Sequence, residues 1–139
     1  MARDLEDADY RRLLQFRTGL RRFLHWSEEQ ALEHGLTGAQ HQLLLAVKGH
    51  REAEGVAPTV GEVATPLMLR HHSTVELVNR AAAKDLVRRE ADPGDRRVVH
   101  LALTRRGERV LASLSESHVE ELRRLASLLE QYAQAVVLP

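Results

Sequence analysis

Six residues past the middle of the chain, Asp92-Pro93-Gly94-Asp95-Arg96-Arg97, set two guanidinium groups beside a Pro-Gly turn. Proline and glycine favour a tight turn there, and a planar guanidinium donates paired hydrogen bonds to phosphate or to the edge of guanine. Asp95, two positions before Arg97, is spaced to orient that guanidinium through a paired hydrogen bond. The chemistry is that of binding a polyanion, not of making or breaking bonds. The plainer reading is a solvated salt bridge in a turn.

The surroundings of the turn decide between the two. Val99, Leu101 and Leu103 alternate with Val98, His100 and Ala102, and Val87 to Glu90 supplies a facing strand, so the pattern predicts a hairpin tipped with arginines. Ahead of it, Ser73 to Leu86 is predicted helical, with Val75, Val78, Ala82 and Leu86 inward and His71, His72, Thr74, Glu76, Asn79 and Arg80 outward. Thr59 and Glu62 have capping-box spacing and open a short helix, which Pro66 limits to about two turns.

Thr37 with Gln40 forms a second such box, and the polar stretch Gly49 to Pro58 is expected to lie beyond the helix it starts and to end it. Before it, Leu13, Phe16, Leu20 and Phe23 mark a long amphipathic helix from Asp9 to His34, closed by Gly35. Thr104 caps the last helical region, whose seam of Leu122, Leu125, Leu129, Tyr132 and Val136 steps by three and four like a coiled coil. The terminal helices are more apolar than one small lobe needs, which suggests that they pack on each other and on a second subunit.

The fold class expected is mainly α with a small β-hairpin (α+β): a winged helix-turn-helix lobe over 37–107, and a helical dimerisation region from 1–36 and 108–139. In such a lobe a helix reads base edges in the major groove while the hairpin reaches the minor groove or its phosphates. His72, Ser73, Thr74, Glu76 and Arg80 are the candidate base readers, Ser73 having a plainer role as a helix cap. Asp95, Arg96 and Arg97 belong to the wing, and Arg70, Arg88, Arg89 and Arg105 are candidate phosphate clamps or solvated charges.

Charge agrees once it is resolved along the chain. The 139 residues carry 20 basic and 20 acidic side chains, yet residues 70–109 hold ten basic and six acidic ones, between two acidic flanks. The centre is therefore net basic, as a nucleic-acid reader requires. A hydrophobic content of 43% excludes a wholly disordered chain.

Other chemistries find less support. The chain has no cysteine, which removes disulfides, thiol nucleophiles and zinc-thiolate sites. Eight histidines include no His-x-x-His or His-x-x-x-His pair. Neither a metal nor any other cofactor is expected, although His41 and His118 with carboxylates across a dimer are the alternative. No nucleophile elbow or phosphate loop gathers Ser, His and Asp, so the chain does not read as an enzyme. His25, Trp26 and His41 are candidates to line a ligand pocket near the dimer helices, Trp26 otherwise being core. With no membrane-length apolar run and an acidic, polar beginning, the cytoplasm is the expected location. A winged module that binds a protein partner instead of DNA is the remaining alternative, and it has no need of an exposed Asp95-Arg96-Arg97.

The same residues resemble a MarR-type transcriptional regulator over nearly the whole chain, most closely from Leu36 to Gly107. The resemblance is carried by Leu36-Thr37 with Gln40, Glu62-Val63-Ala64, Ser73-Thr74-Val75, Leu86-Val87-Arg88-Arg89, the wing sequence itself, and Leu103-Thr104-Arg105-Arg106-Gly107. Pro66, Met68 and Asp85 depart from the family pattern, which commonly has glycine at the last two positions. The resemblance implies a homodimer on double-stranded DNA at a pseudo-palindromic operator. It further implies a repressor weakened by a small aromatic or lipophilic ligand held between the dimer helices and the DNA lobe.

Overall fold

The computed structural model describes residues 4–137, with side chains through Gln134, so Val136 of the expected seam lies outside the described side chains. Five helices and one hairpin follow in the order α1 (Asp7–Glu33), α2 (Gly38–Glu54), α3 (Val60–Leu67), α4 (His71–Ala83), β1 (Val87–Ala91), β2 (Val99–Leu103) and α5 (Arg105–Val137). The long helices α1 and α5 pack on each other, and α2, α3, α4 and the hairpin form the lobe beside them.

Both expected capping boxes are present. The Thr37 hydroxyl accepts from Gln40 N at 3.1 Å while Gln40 Oε1 accepts from Thr37 N, and Thr59 with Glu62 repeats the arrangement. Thr104 Oγ1 accepts from Gly107 N at 3.0 Å and so caps α5. Each satisfies backbone donors that the first helical turn leaves without partners.

Two helix boundaries differ from expectation. α2 runs through Gly49 to Glu54 and stops where Gly55 turns left-handed (φ 76°). Gly49 is exposed and costs the helix only propensity. α4 begins at His71 and its N-cap is Arg70, so Ser73 stands inside the first turn and is not the cap. The packed face of α4 is Thr74, Val78 and Ala81, with Val75 and Ala82 half-buried.

Three helix ends close alike. The N–H groups of Leu36, Leu69 and Leu86 reach back five residues to the carbonyls of Ala31, Ala64 and Ala81, and the residues before them, Gly35, Met68 and Asp85, are all left-handed. This closure demands positive φ. The structure thus accounts for the glycines expected at positions 68 and 85, and Met68 (φ 56°) and Asp85 (φ 58°) adopt that geometry without glycine's freedom.

One apolar cluster joins the elements of the lobe to the long helices: Leu36, Leu43, Leu44, Val63, Val78, Leu86, Leu101, Leu111 and Leu114 are buried together. Each buried leucine contributes about 1.5–3 kcal/mol relative to exposure. Gly107 sits against this cluster so closely that a Cβ there would lie 2.1 Å from the Leu86 carbonyl oxygen. Among the described residues, no helix is long and apolar enough to cross a membrane.

Candidate nucleic-acid interface

The hairpin pairs Val87 with Leu103 through Ala91 with Val99 and leaves 92–98 as the tip, where Pro93, Gly94, Arg96 and Arg97 are exposed. Asp92 builds that tip. Its Oδ2 accepts from the N–H groups of Gly94 and Asp95, both at 2.9 Å. Asp95 then accepts from Arg97 through both carboxylate oxygens, at 3.1 Å from Nε and 3.2 Å from Nη2, and also from the Arg97 N–H at 3.0 Å. The hydrogen bonds from Arg97 hold the Asp95 carboxyl below the ordinary aspartate range. Arg97 itself is 91% exposed, and Arg96 beside it is exposed as well.

Helix α4 lies beside the wing. His71, His72, Glu76, Asn79 and Arg80 form its exposed face, and Arg89 of β1 donates to Asn79 Oδ1, which fixes the wing root to that helix. Arg88 is engaged elsewhere, with Glu90 at 2.9 Å and the Leu103 carbonyl at 3.0 Å. Arg70 at the N-cap of α4 and Arg105 at the start of α5 are exposed.

Thr74 does not belong to the reading face. Its side chain is fully buried and its hydroxyl donates to the Arg70 carbonyl, four residues back, at 2.9 Å. Ser73 is half-buried.

The residues expected around a ligand separate into three places. Trp26 lines a cavity of about 670 Å³ between α1 and α5, with Phe23, Arg22, Leu125, Leu129 and Tyr132 among its walls. His25 is not there: its side chain is 75% exposed and its Nε2 lies 3.0 Å from Glu29 Oε1, one turn on along α1. His41 is outside the cavity too, only 5% exposed, with its ring 4.7 Å from that of His118 and its Nδ1 buried without a hydrogen-bond partner. Burial first, then the neighbouring His118 and His34, lowers the His41 pKa to about 4.

His41 and His118 therefore meet within one chain. Leu114 C=O only accepts, so His118 Nδ1 donates to it at 2.7 Å, and Nε2 then takes the Ser27 hydroxyl at 2.7 Å. Both nitrogens of His118 are occupied. Among the described residues no group of three or more His, Cys, Asp or Glu side chains is placed to hold a metal.

Sequence reasoning found the wing pair but missed what supports it. Asp92 passed for a turn residue and His100 for an outward strand position, although His100 Nε2 lies 2.8 Å from Asp92 Oδ1 and its Nδ1 2.7 Å from the Ala57 carbonyl. The only signal available was a histidine alternating with apolar neighbours in β2.

Three helices, the second pair joined by a tight turn, and a following hairpin with an exposed arginine tip define the winged helix-turn-helix class. Residues 34–98 match the sequence model of the MarR family. Over 65 residues the chain is 37% identical to the uncharacterized HTH-type transcriptional regulator YsmB of Bacillus subtilis (strain 168), an alignment covering 47% of this chain and 44% of that protein. The chain thus spans less than half of that relative. Solved structures with this fold include AbsC, a MarR family transcriptional regulator from Streptomyces coelicolor (TM-score 0.74, 24% identity, 99% of this chain and 95% of that one). Another is MepR of S. aureus in complex with DNA (TM-score 0.71, 19% identity, 95% and 92%). Residues 34–98 are thus similar in sequence to the MarR family, and the chain as a whole shares the winged helix-turn-helix fold of these solved structures.

Proposed function

We propose that the protein is a DNA-binding transcriptional regulator that acts as a homodimer on a pseudo-palindromic operator and represses until a small aromatic or lipophilic ligand weakens its grip. The observation that carries this reading is Arg97, held outward by Asp95 on a wing whose root is bonded to the exposed face of α4. A solvated salt bridge needs no such alignment with a helix.

Residues 37–107 form the DNA-binding lobe in this reading. His72, Glu76 and Arg80 on α4 face the bases with Asn79 beside them, while Arg70, Arg96, Arg97 and Arg105 meet phosphates and the minor groove. Arg88 and Arg89 serve first to hold the wing. The N-cap of α4 supplies no side-chain hydrogen bond, so its first-turn amides are also suited to a phosphate.

The terminal helices make the dimer. Leu5, Tyr10, Leu13 and Leu14 of the first segment and Val119, Leu122 and Leu128 of α5 are exposed in the single chain, and an apolar surface of this extent is normally covered by a partner. Half-sites one helical turn apart, about 10 base pairs, would suit two such lobes. The ligand would enter at the Trp26 end of the α1–α5 cavity. A gel shift with duplex DNA flanking the protein's own gene tests the reading: a retarded complex at low salt is expected, and its absence would overturn it.

A further inference from the structure

His100 is held between two groups that only accept hydrogen bonds. Its Nδ1 is 2.7 Å from the Ala57 carbonyl in the α2–α3 connection, and its Nε2 is 2.8 Å from Asp92 Oδ1 in the wing loop. A neutral imidazole has one N–H and can satisfy one of them; the imidazolium satisfies both. The Asp92 carboxylate continues the connection, since its other oxygen accepts from Gly94 and Asp95, and Asp95 grips Arg97. Beside this chain of bonds, Leu101 N donates to the Pro58 carbonyl at 2.7 Å, so β2 already lies against the α2–α3 connection.

We propose that His100 in its doubly protonated form is a positioning residue for the wing arginine, tying the wing loop to the α2–α3 connection so that DNA affinity rises as the ring gains its second proton. The proposal rests on the DNA-binding reading given above. Its sign follows from the partners. Asp92 stands at the ring, Glu90 lies opposite His100 across the hairpin, and Glu62 approaches from the N-terminus of α3. From α2, His50 lies 3.3 Å from Glu62 Oε2, and Arg51 lines the same cleft. The three carboxylates favour the charged ring; His50, when protonated, and Arg51 oppose it. The hydrogen bond to Asp92 and then that to Ala57 raise the His100 pKa above the ordinary histidine value, and His100 in turn lowers that of Asp92.

Two variants separate positioning from mere structure. In Asp92→Asn the new amide can donate to a neutral Nε2, so the connection stands with a singly protonated ring and its pH dependence is removed. His100→Gln leaves one of the two bonds at every pH. NMR on the free proteins between pH 5.5 and 8.5 follows the His100 ring together with the Gly94 and Asp95 amides. In the wild type those amides are expected to titrate with the ring, at a midpoint above about 6.5, and in His100→Gln to stay flat. Fluorescence anisotropy with the duplex flanking the protein's own gene reads the consequence. From pH 6 to 8.5 the wild type is expected to lose roughly fivefold more affinity than Asp92→Asn, the equivalent of one hydrogen bond. His71 and His72 are present in both proteins, so whatever they contribute cancels in the comparison. Amides that ignore the ring, a midpoint at or below the ordinary value, or equal pH dependence in the two proteins would each overturn the proposal. If the amides follow the ring but neither protein binds the duplex at any pH, the DNA-binding reading fails and the affinity half of the proposal falls with it.

Discussion

Asp95 holds Arg97 by both carboxylate oxygens, at 3.1 and 3.2 Å, although the arginine side chain is 91% exposed. Exposed ion pairs add little to stability, so the pair sets a direction. Asp95→Ala is expected to leave the thermal midpoint nearly unchanged and to weaken DNA binding about threefold or more through the disorder given to Arg97. Arg97→Ala removes the contact itself and is expected to cost roughly tenfold. Anisotropy titrations with melting curves on both variants check this; unchanged affinity in Arg97→Ala would remove the wing arginine from the account.

Met68 closes α3 in the left-handed region at φ 56°, and its side chain is 91% exposed. It loses conformational energy there and gains no packing. Met68→Gly is expected to stabilise the fold by roughly 0.5–1 kcal/mol, the left-handed cost less glycine's larger unfolded-state entropy. Urea unfolding measures it, and a lower midpoint would contradict the reading of this turn.

Burial keeps His41 neutral, with its pKa lowered to about 4. The unfolded chain takes up the proton near the ordinary value of about 6.5, so this group's contribution is complete above that pH and is lost as the pH falls toward 4. Wild type should lose about 2 kcal/mol more than His41→Leu between pH 7 and 4.5. His100 has the opposite sign but is common to both proteins. Equal losses in urea titrations at the two pH values would show that His41 is not buried neutral.

Gly107 has room for hydrogen alone, since a Cβ would stand 2.1 Å from the backbone oxygen of Leu86. That oxygen also accepts from Thr104 N at the start of α5, so it has little freedom to move. Gly107→Ala is expected to destabilise by roughly 3 kcal/mol, while Gly49→Ala, in open space on α2, should stabilise slightly. Melting midpoints that do not separate the two would contradict this packing.

What the sequence reveals and conceals follows from the range of each interaction. Thr37 with Gln40, Thr59 with Glu62 and the Asp95–Arg97 pair act within three residues, and all are legible from spacing. The start of α4 was not. Serine is a favoured cap, but Arg70, three residues earlier, occupies that position, and Thr74 packs into the core beside Val78 and Ala81 instead of facing outward. His25 and Trp26 are adjacent in sequence yet on different faces of α1, which periodicity alone does not assign without knowing where α5 packs. The bond from His100 to Ala57 spans 43 residues and depends on how the hairpin lies against the α2–α3 connection.

The central claim is that an arginine-tipped wing and α4 together grip duplex DNA. Its most direct test is the salt dependence of affinity for the DNA flanking the protein's own gene, measured for wild type and Arg97→Ala. Arginine contacts release counterions, so log affinity should fall linearly and steeply with log salt for the wild type, and the slope for Arg97→Ala should be shallower by about one. No binding at low salt, or a flat response shared by both proteins, would contradict the account.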